Sequence, residues 1–161
     1  MMSENKLIEV VLDESGLPAP TPEIEQERRV AIYDLLEENS FAPIARGGAA
    51  PEGPFRLNLS IIERRLVFVI SNESKEKLGE FHLSLSPFRQ VIKDYFQICE
   101  SYFDAVKRLP PAQIEAIDMG RRGIHDEGSR VLLERLEGKV EIDHKTARRL
   151  FTLICVLHFK G

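Results

Sequence analysis

Residues 121–127 read Arg-Arg-Gly-Ile-His-Asp-Glu, a dense run of groups able to do chemistry. Arginine presents a fixed fork of donors that fits carboxylate or phosphate. Histidine changes charge near neutral pH, and a neighbouring carboxylate can orient its ring while it acts as acid or base. On a helix, residues four apart lie one above the other, so Arg121 and His125 share one face and Arg122 and Asp126 the next. These four, Arg121, Arg122, His125 and Asp126, are the candidate anion- or partner-binding residues. The competing reading is a solvated salt-bridge face with an exposed histidine, because surface ion pairs are common and contribute little.

A second cluster joins Asp143 and His144 to Arg148 and Arg149. Asp143 already has a structural task there, as the N-cap of the helix that follows. Arginine pairs also occur at 28–29 and 64–65. The four pairs either converge into one anion-binding patch or remain ordinary surface pairs. The histidines His82, His125, His144 and His158 match no metal-ligand spacing. No metal and no cofactor is therefore expected. The chain also has no phosphate-binding glycine loop, nucleophile elbow, paired-cysteine site or zinc-protease helix. No residue is assigned a catalytic role.

The elements that must position these residues are legible from periodicity. Lys6 to Asp13 alternates as a strand. Thr21-Pro22 opens a helix carrying Ile24, Ala31, Ile32, Leu35 and Leu36, closed by Asn39-Ser40. Residues 42–54, with three prolines and three glycines, form a flexible loop. Three strands follow, around Phe55–Ile61, Leu66–Ile70 and Phe81–Leu85, turned at Glu63-Arg64 and joined by short connections that imply an antiparallel meander. Ser86-Pro87 starts a second helix whose Phe88, Val91, Tyr95 and Cys99 belong to the core rather than to a base-stacking platform. The third helix follows Pro111. Asp118, Arg122, Asp126, Arg130 and Glu134 alternate in sign every four residues, which argues for one continuous helix through Gly120, Gly123 and Gly128. Glycines retained inside a helix let another backbone come close. Gly138 caps it, and Asp143 opens a last helix, His144 to Phe159, that is apolar nearly all round from Leu150 and so is either the centre of the helical layer or half of a dimer interface. The expected fold is α+β: a small antiparallel sheet of about four strands with about four helices packed on one face, in a single domain spanning 1–161.

Composition narrows the class further. Hydrophobic and charged contents of 43% and 30% are those of a globular chain, long enough at 161 residues to need neither disulfide nor metal. The net charge of −4 argues mildly against a nucleic-acid binder. Two separated cysteines, Cys99 and Cys155, in apolar helical patterns read as buried free thiols of a reducing compartment. No secretory signal is read at the N-terminus. The longest apolar stretch, around Leu153 to Leu157, is far too short to span a membrane.

Several segments carry a resemblance: Pro20-Thr21-Pro22-Glu23, Asp34 to Asn39, Ser60 to Leu66, Met119 to Gly128, and Ala147 to Leu157. They resemble uncharacterised protein family 0262, small proteins of alphaproteobacteria, over nearly the whole chain. The resemblance implies a bacterial cytoplasmic protein and brings no activity, cofactor or catalytic residue with it.

Three functional readings follow. The favoured one is a non-catalytic module that binds another protein, including a second copy of itself through the apolar last helix. The alternative is a small enzyme acting on a phosphorylated or carboxylated molecule through Arg121, Arg122 and His125. The weakest is RNA or nucleotide binding by converged arginine pairs. A deep pocket lined by His125 and arginines would favour the second, and a flat apolar patch the first.

Overall fold

The computed structural model describes residues 4–15, 17–45 and 48–158. A four-stranded sheet has the order β1 (Leu7–Leu12), β3 (Phe55–Ile62), β4 (Arg65–Ser71), β5 (Lys77–Ser84). Four helices complete the fold: α1 (Pro22–Glu37), α2 (Arg89–Arg108), α3 (Pro111–Leu136) and α4 (His144–Leu157). A two-residue strand β2 (Ala42–Pro43), inside the glycine- and proline-rich stretch, pairs with β6 (Val140–Glu141) next to the start of α4. The α+β class is as read from the sequence.

The sheet is mixed rather than wholly antiparallel. The β3–β4–β5 meander is antiparallel, but β1 runs parallel to β3, with Val10 opposite Leu57 and Leu12 opposite Leu59. The reason lies in the connection. Between β1 and β3 the chain passes through all of α1, and a crossover of that length is what a parallel pair needs. One face of the sheet carries Leu57, Leu59, Leu66, Phe68, Ile70 and Leu83, all buried in the core shared with the helices. The alternate residues Arg56, Asn58, Arg65, Glu80 and His82 face the other way, and the pairs Glu9–Arg56 (2.9 Å) and Glu80–His82 (2.7 Å) lie among them.

Local chemistry sets the boundaries. Thr21 accepts a hydrogen bond from the Ile24 amide, with Pro22 at the first helical position. Asp143 accepts from the Thr146 amide at 2.8 Å. Gly138 sits just past α3 at φ +80°, the left-handed conformation favoured after a helix end. Glu63 and Arg64, at φ 50° and 63°, form the two-residue turn between β3 and β4. The side chain of Asn39 clamps α1 to β1: it accepts from the Leu7 amide (2.7 Å) and donates to the carbonyls of Leu7 (3.0 Å) and Leu35 (2.7 Å). Asn39→Asp keeps the acceptor and loses both donations. It is expected to lower stability by about 2 kcal/mol, as for stranded partly buried acceptors. Urea unfolding checks this, and an unchanged midpoint would show that water replaces the clamp.

α3 is continuous over 26 residues despite its glycines. The glycines do different things. A Cβ on Gly128 would lie 2.1 Å from Cζ of Phe151, and one on Gly120 2.9 Å from Cδ1 of Ile98, while Gly123 meets nothing within 4 Å. Neighbouring side chains, rather than another backbone, occupy the space that the first two leave. The charge ladder closes at Asp118–Arg122 (2.8 Å), but Asp126 turns to α4 and lies 3.4 Å from Arg148.

α4 packs against both α1 and α3 and so occupies the middle of the helical layer. Leu150, Phe151, Leu153, Ile154, Val156 and Leu157 are all buried within the chain. The exposed apolar patch that would have driven pairing of two copies through Leu153, Val156 and Leu157 is therefore absent, because the helix already has neighbours on its apolar sides. Phe159, the expected end of that helix, lies outside the described residues. The expected core residues Phe88, Val91, Tyr95 and Cys99 are all buried. Among the described residues no helix is long and apolar enough to cross a membrane.

Candidate functional site

The one polar edge of α4 faces outward between α1 and α3. Lys145, Arg148, Arg149 and Thr152 follow the i, i+3, i+4, i+7 spacing of a helical stripe. They form the floor of a cleft of about 570 Å³, within the range of roughly 300–1,000 Å³ common for small-molecule sites. One wall is α1, with Gln26, Glu27, Val30, Ala31 and Asp34. The other is α3, with Arg121, Arg122 and His125, and Tyr95 of α2 reaches in from below.

Arg121 is held firmly. Its Nε and Nη2 both donate to Oδ1 of Asp118, at 3.2 and 2.7 Å, and its guanidinium lies 4.1 Å from the centre of the Tyr102 ring. Arg122 pairs with the other oxygen of Asp118 at 2.8 Å. One carboxylate thus serves two arginines, and their hydrogen bonds, that of Arg121 first, lower its pKa below the ordinary carboxylate value. Arg149 donates to the carbonyl of Glu38 at 2.7 Å, and Lys145 has no carboxylate partner among the described residues.

His125 lies between the rings of Tyr95 and Phe151, edge-on to each at 5.3 and 5.2 Å. Its Nε2 is 2.7 Å from the Thr152 hydroxyl, which itself donates to the Arg148 carbonyl. That hydroxyl therefore accepts from the ring, so the proton of the neutral imidazole sits on Nε2 and Nδ1 is left as a buried acceptor with no partner. Burial, with Arg148 and Arg121 adding repulsion, lowers the ring to a pKa of about 4. His125 is thus uncharged at neutral pH.

On the opposite wall Glu27 is shifted the other way. Burial raises its carboxyl above the ordinary range, although Arg121 and the Tyr95 hydroxyl oppose the shift. That hydroxyl approaches only to 3.5 Å. Beneath the cleft, burial pushes the Cys99 thiol up to about 11 and Cys155 well above its usual value, so neither is a ready nucleophile. Among the described residues no cluster of three metal-ligating side chains exists.

Three of the four sequence-selected residues, Arg121, Arg122 and His125, line the cleft. Asp126 does not. Its Oδ1 is buried without a hydrogen bond, 3.4 Å from Arg148 and 3.9 Å from His144, so it steadies α4 from the side. Two of the four arginine pairs converge here. Arg28 pairs with Glu14 and Arg29 with Glu25, while Arg64 sits in the hairpin turn and Arg65 opens β4. Sequence reasoning missed Glu27, Asp34, Tyr95, Lys145 and Thr152. For Lys145 and Thr152 a signal existed, since with Arg148 and Arg149 they make the only polar stripe on an otherwise apolar helix.

The comparisons with known proteins agree on the family and stop there. The profile described as "Uncharacterised protein family (UPF0262)" matches residues 4–160. A UPF0262 protein of Ruegeria pomeroyi is 72% identical over 161 residues, covering 99% of this chain and 100% of that one. One from Roseobacter denitrificans is 68% identical, covering 98% and 99%, and one from Cereibacter sphaeroides (strain ATCC 17029) is 70% identical, covering 96% and 99%. No solved structure matches the chain. With the profile spanning almost every residue and relatives of the same length at about 70% identity, the chain belongs to the UPF0262 family of alphaproteobacterial proteins.

Proposed function

We propose that this chain is a non-catalytic binding protein whose cleft between α1, α3 and α4 receives a small molecule bearing a phosphate or carboxylate group. The observation that carries the reading is the convergence of five cationic side chains, Arg121, Arg122, Lys145, Arg148 and Arg149, on one cleft. Two of these share a single carboxylate, and Lys145 has none. In a concave site such unneutralised donors favour an anion. Acid–base catalysis is not part of the proposal, because burial makes the His125 ring a weak base and its Nδ1 is buried without a partner. Nucleic acid is not proposed either, since the chain is acidic overall and the other arginine pairs lie elsewhere. Free, buried Cys99 and Cys155 suit a cytoplasmic setting.

The test is thermal unfolding with pyrophosphate or citrate, in the wild type and in a variant joining Arg122→Glu to Lys145→Glu. Both side chains are exposed, so the fold should survive. A ligand at about a hundred times its Kd stabilises by about 2.7 kcal/mol. The wild type is expected to melt higher with at least one of these anions and the variant not to respond. Equal responses in the two would place the anion elsewhere.

A further inference from the structure

The cleft is polarised across its width. The α3 wall and the α4 floor supply all five cations, whereas the α1 wall supplies two carboxylates, Glu27 and Asp34. Neither carboxylate has a cationic partner within ion-pair distance among the described residues. Glu27 faces Arg121, but Arg121 directs its Nε and Nη2 to Asp118 and leaves Glu27 only the long contact from Tyr95. Charges of both signs thus stand on opposite sides of one cavity without closing on each other.

A simple anion would meet repulsion from that α1 wall, and a site tuned for one gains nothing from carboxylates there. Val30 and Ala31, on the α1 wall between Glu27 and Asp34, and the Tyr95 ring give the cleft an apolar surface for the body of a ligand. Resting on the anion-binding reading above, we propose that the ligand is dipolar, an anion that also carries a protonated amine, with its anionic group against Lys145, Arg148 and Arg122 and its ammonium against one of the two α1 carboxylates, Glu27 or Asp34, which stand about two helical turns apart. Amino acids and phosphorylated amines are the chemical class.

The experiment is isothermal titration of the full chain near neutral pH and at low salt with matched pairs: glutamate against glutarate, and phosphoethanolamine against ethyl phosphate. The members of each pair share the anionic group and differ in the amine, and the two pairs separate carboxylate from phosphate. The amine-bearing member of at least one pair is expected to bind at least tenfold more tightly. Asp34→Asn or Glu27→Gln, whichever removes the carboxylate that meets the ammonium, should erase most of that advantage while leaving the amine-free anion bound as well or better. Thermal melts of both variants guard against a packing defect. If both members of a pair bind alike, or if the advantage survives both substitutions, the dipolar ligand is wrong and the anion site stands. If none of the four probes binds at millimolar concentration, the anion site falls with it.

Discussion

Gly128→Ala is expected to destabilise the protein by about 3 kcal/mol, at the upper end for overpacking a core. Gly123→Ala, five residues earlier on the same helix, should stabilise it by up to about 1 kcal/mol. The opposite signs follow from what each new methyl meets. At Gly128 it would lie 2.1–2.4 Å from three atoms of the Phe151 ring, which is fully buried and packs edge-on against Tyr95 and His125. The ring is hemmed in by Tyr95 and by His125, which is itself tied to the Thr152 hydroxyl. At Gly123 there is open space, so only the gain in helix propensity remains. Urea unfolding of the two variants decides the matter. Equal effects would mean that Phe151 moves aside, and a Gly128→Ala/Phe151→Leu double variant should recover part of the loss if the clash is the cause.

The second large effect is a dependence of stability on pH that passes through His125. Its folded pKa of about 4 lies below the ordinary 6.5. As pH falls, the unfolded chain takes up the proton first, so the stabilisation is complete above about pH 6.5 and is lost progressively toward pH 4. A shift of this size corresponds to about 3 kcal/mol at roughly 1.4 kcal/mol per unit, and partial solvent screening of the ring reduces the expected loss to about 2 kcal/mol. Glu27 acts in the opposite sense, because its raised carboxyl is relieved by protonation. The quantity to read is therefore the difference in unfolding free energy between wild type and His125→Gln across that window. It should shrink by about 2 kcal/mol on acidification. Parallel curves would show that the ring is not held neutral by the fold.

Much of this architecture was legible in the residues. The caps at Thr21 and Asp143, the turn at Glu63-Arg64, the continuity of α3 and the buried stripe of α2 all follow from local rules, and local rules survive folding when nothing distant overrides them. The parallel pairing of β1 was not legible, because strand partners are chosen by long-range packing and alternation along a strand is silent about direction. The last helix left two outcomes open, the centre of the helical layer or half of a dimer interface, for a related reason. An apolar circumference says that a helix is covered, and here α1 and α3 cover it rather than a second chain. The site was half visible. Arg121, Arg122 and His125 announce themselves as one run, whereas Glu27 and Asp34 come from a helix about ninety residues earlier and look like ordinary surface acids until α4 brings α1 opposite α3.

The claim on which the functional account rests is that an anion enters this cleft. Titrating the isotopically labelled chain with inorganic phosphate, while following backbone amides and arginine Nε–Hε signals by NMR, tests it residue by residue. The account predicts saturable shifts gathered on residues 121–125 and 145–152, with Arg29, Arg64 and Arg108 unmoved. Shifts spread evenly over the exposed arginines, or none at all at millimolar phosphate, would contradict it.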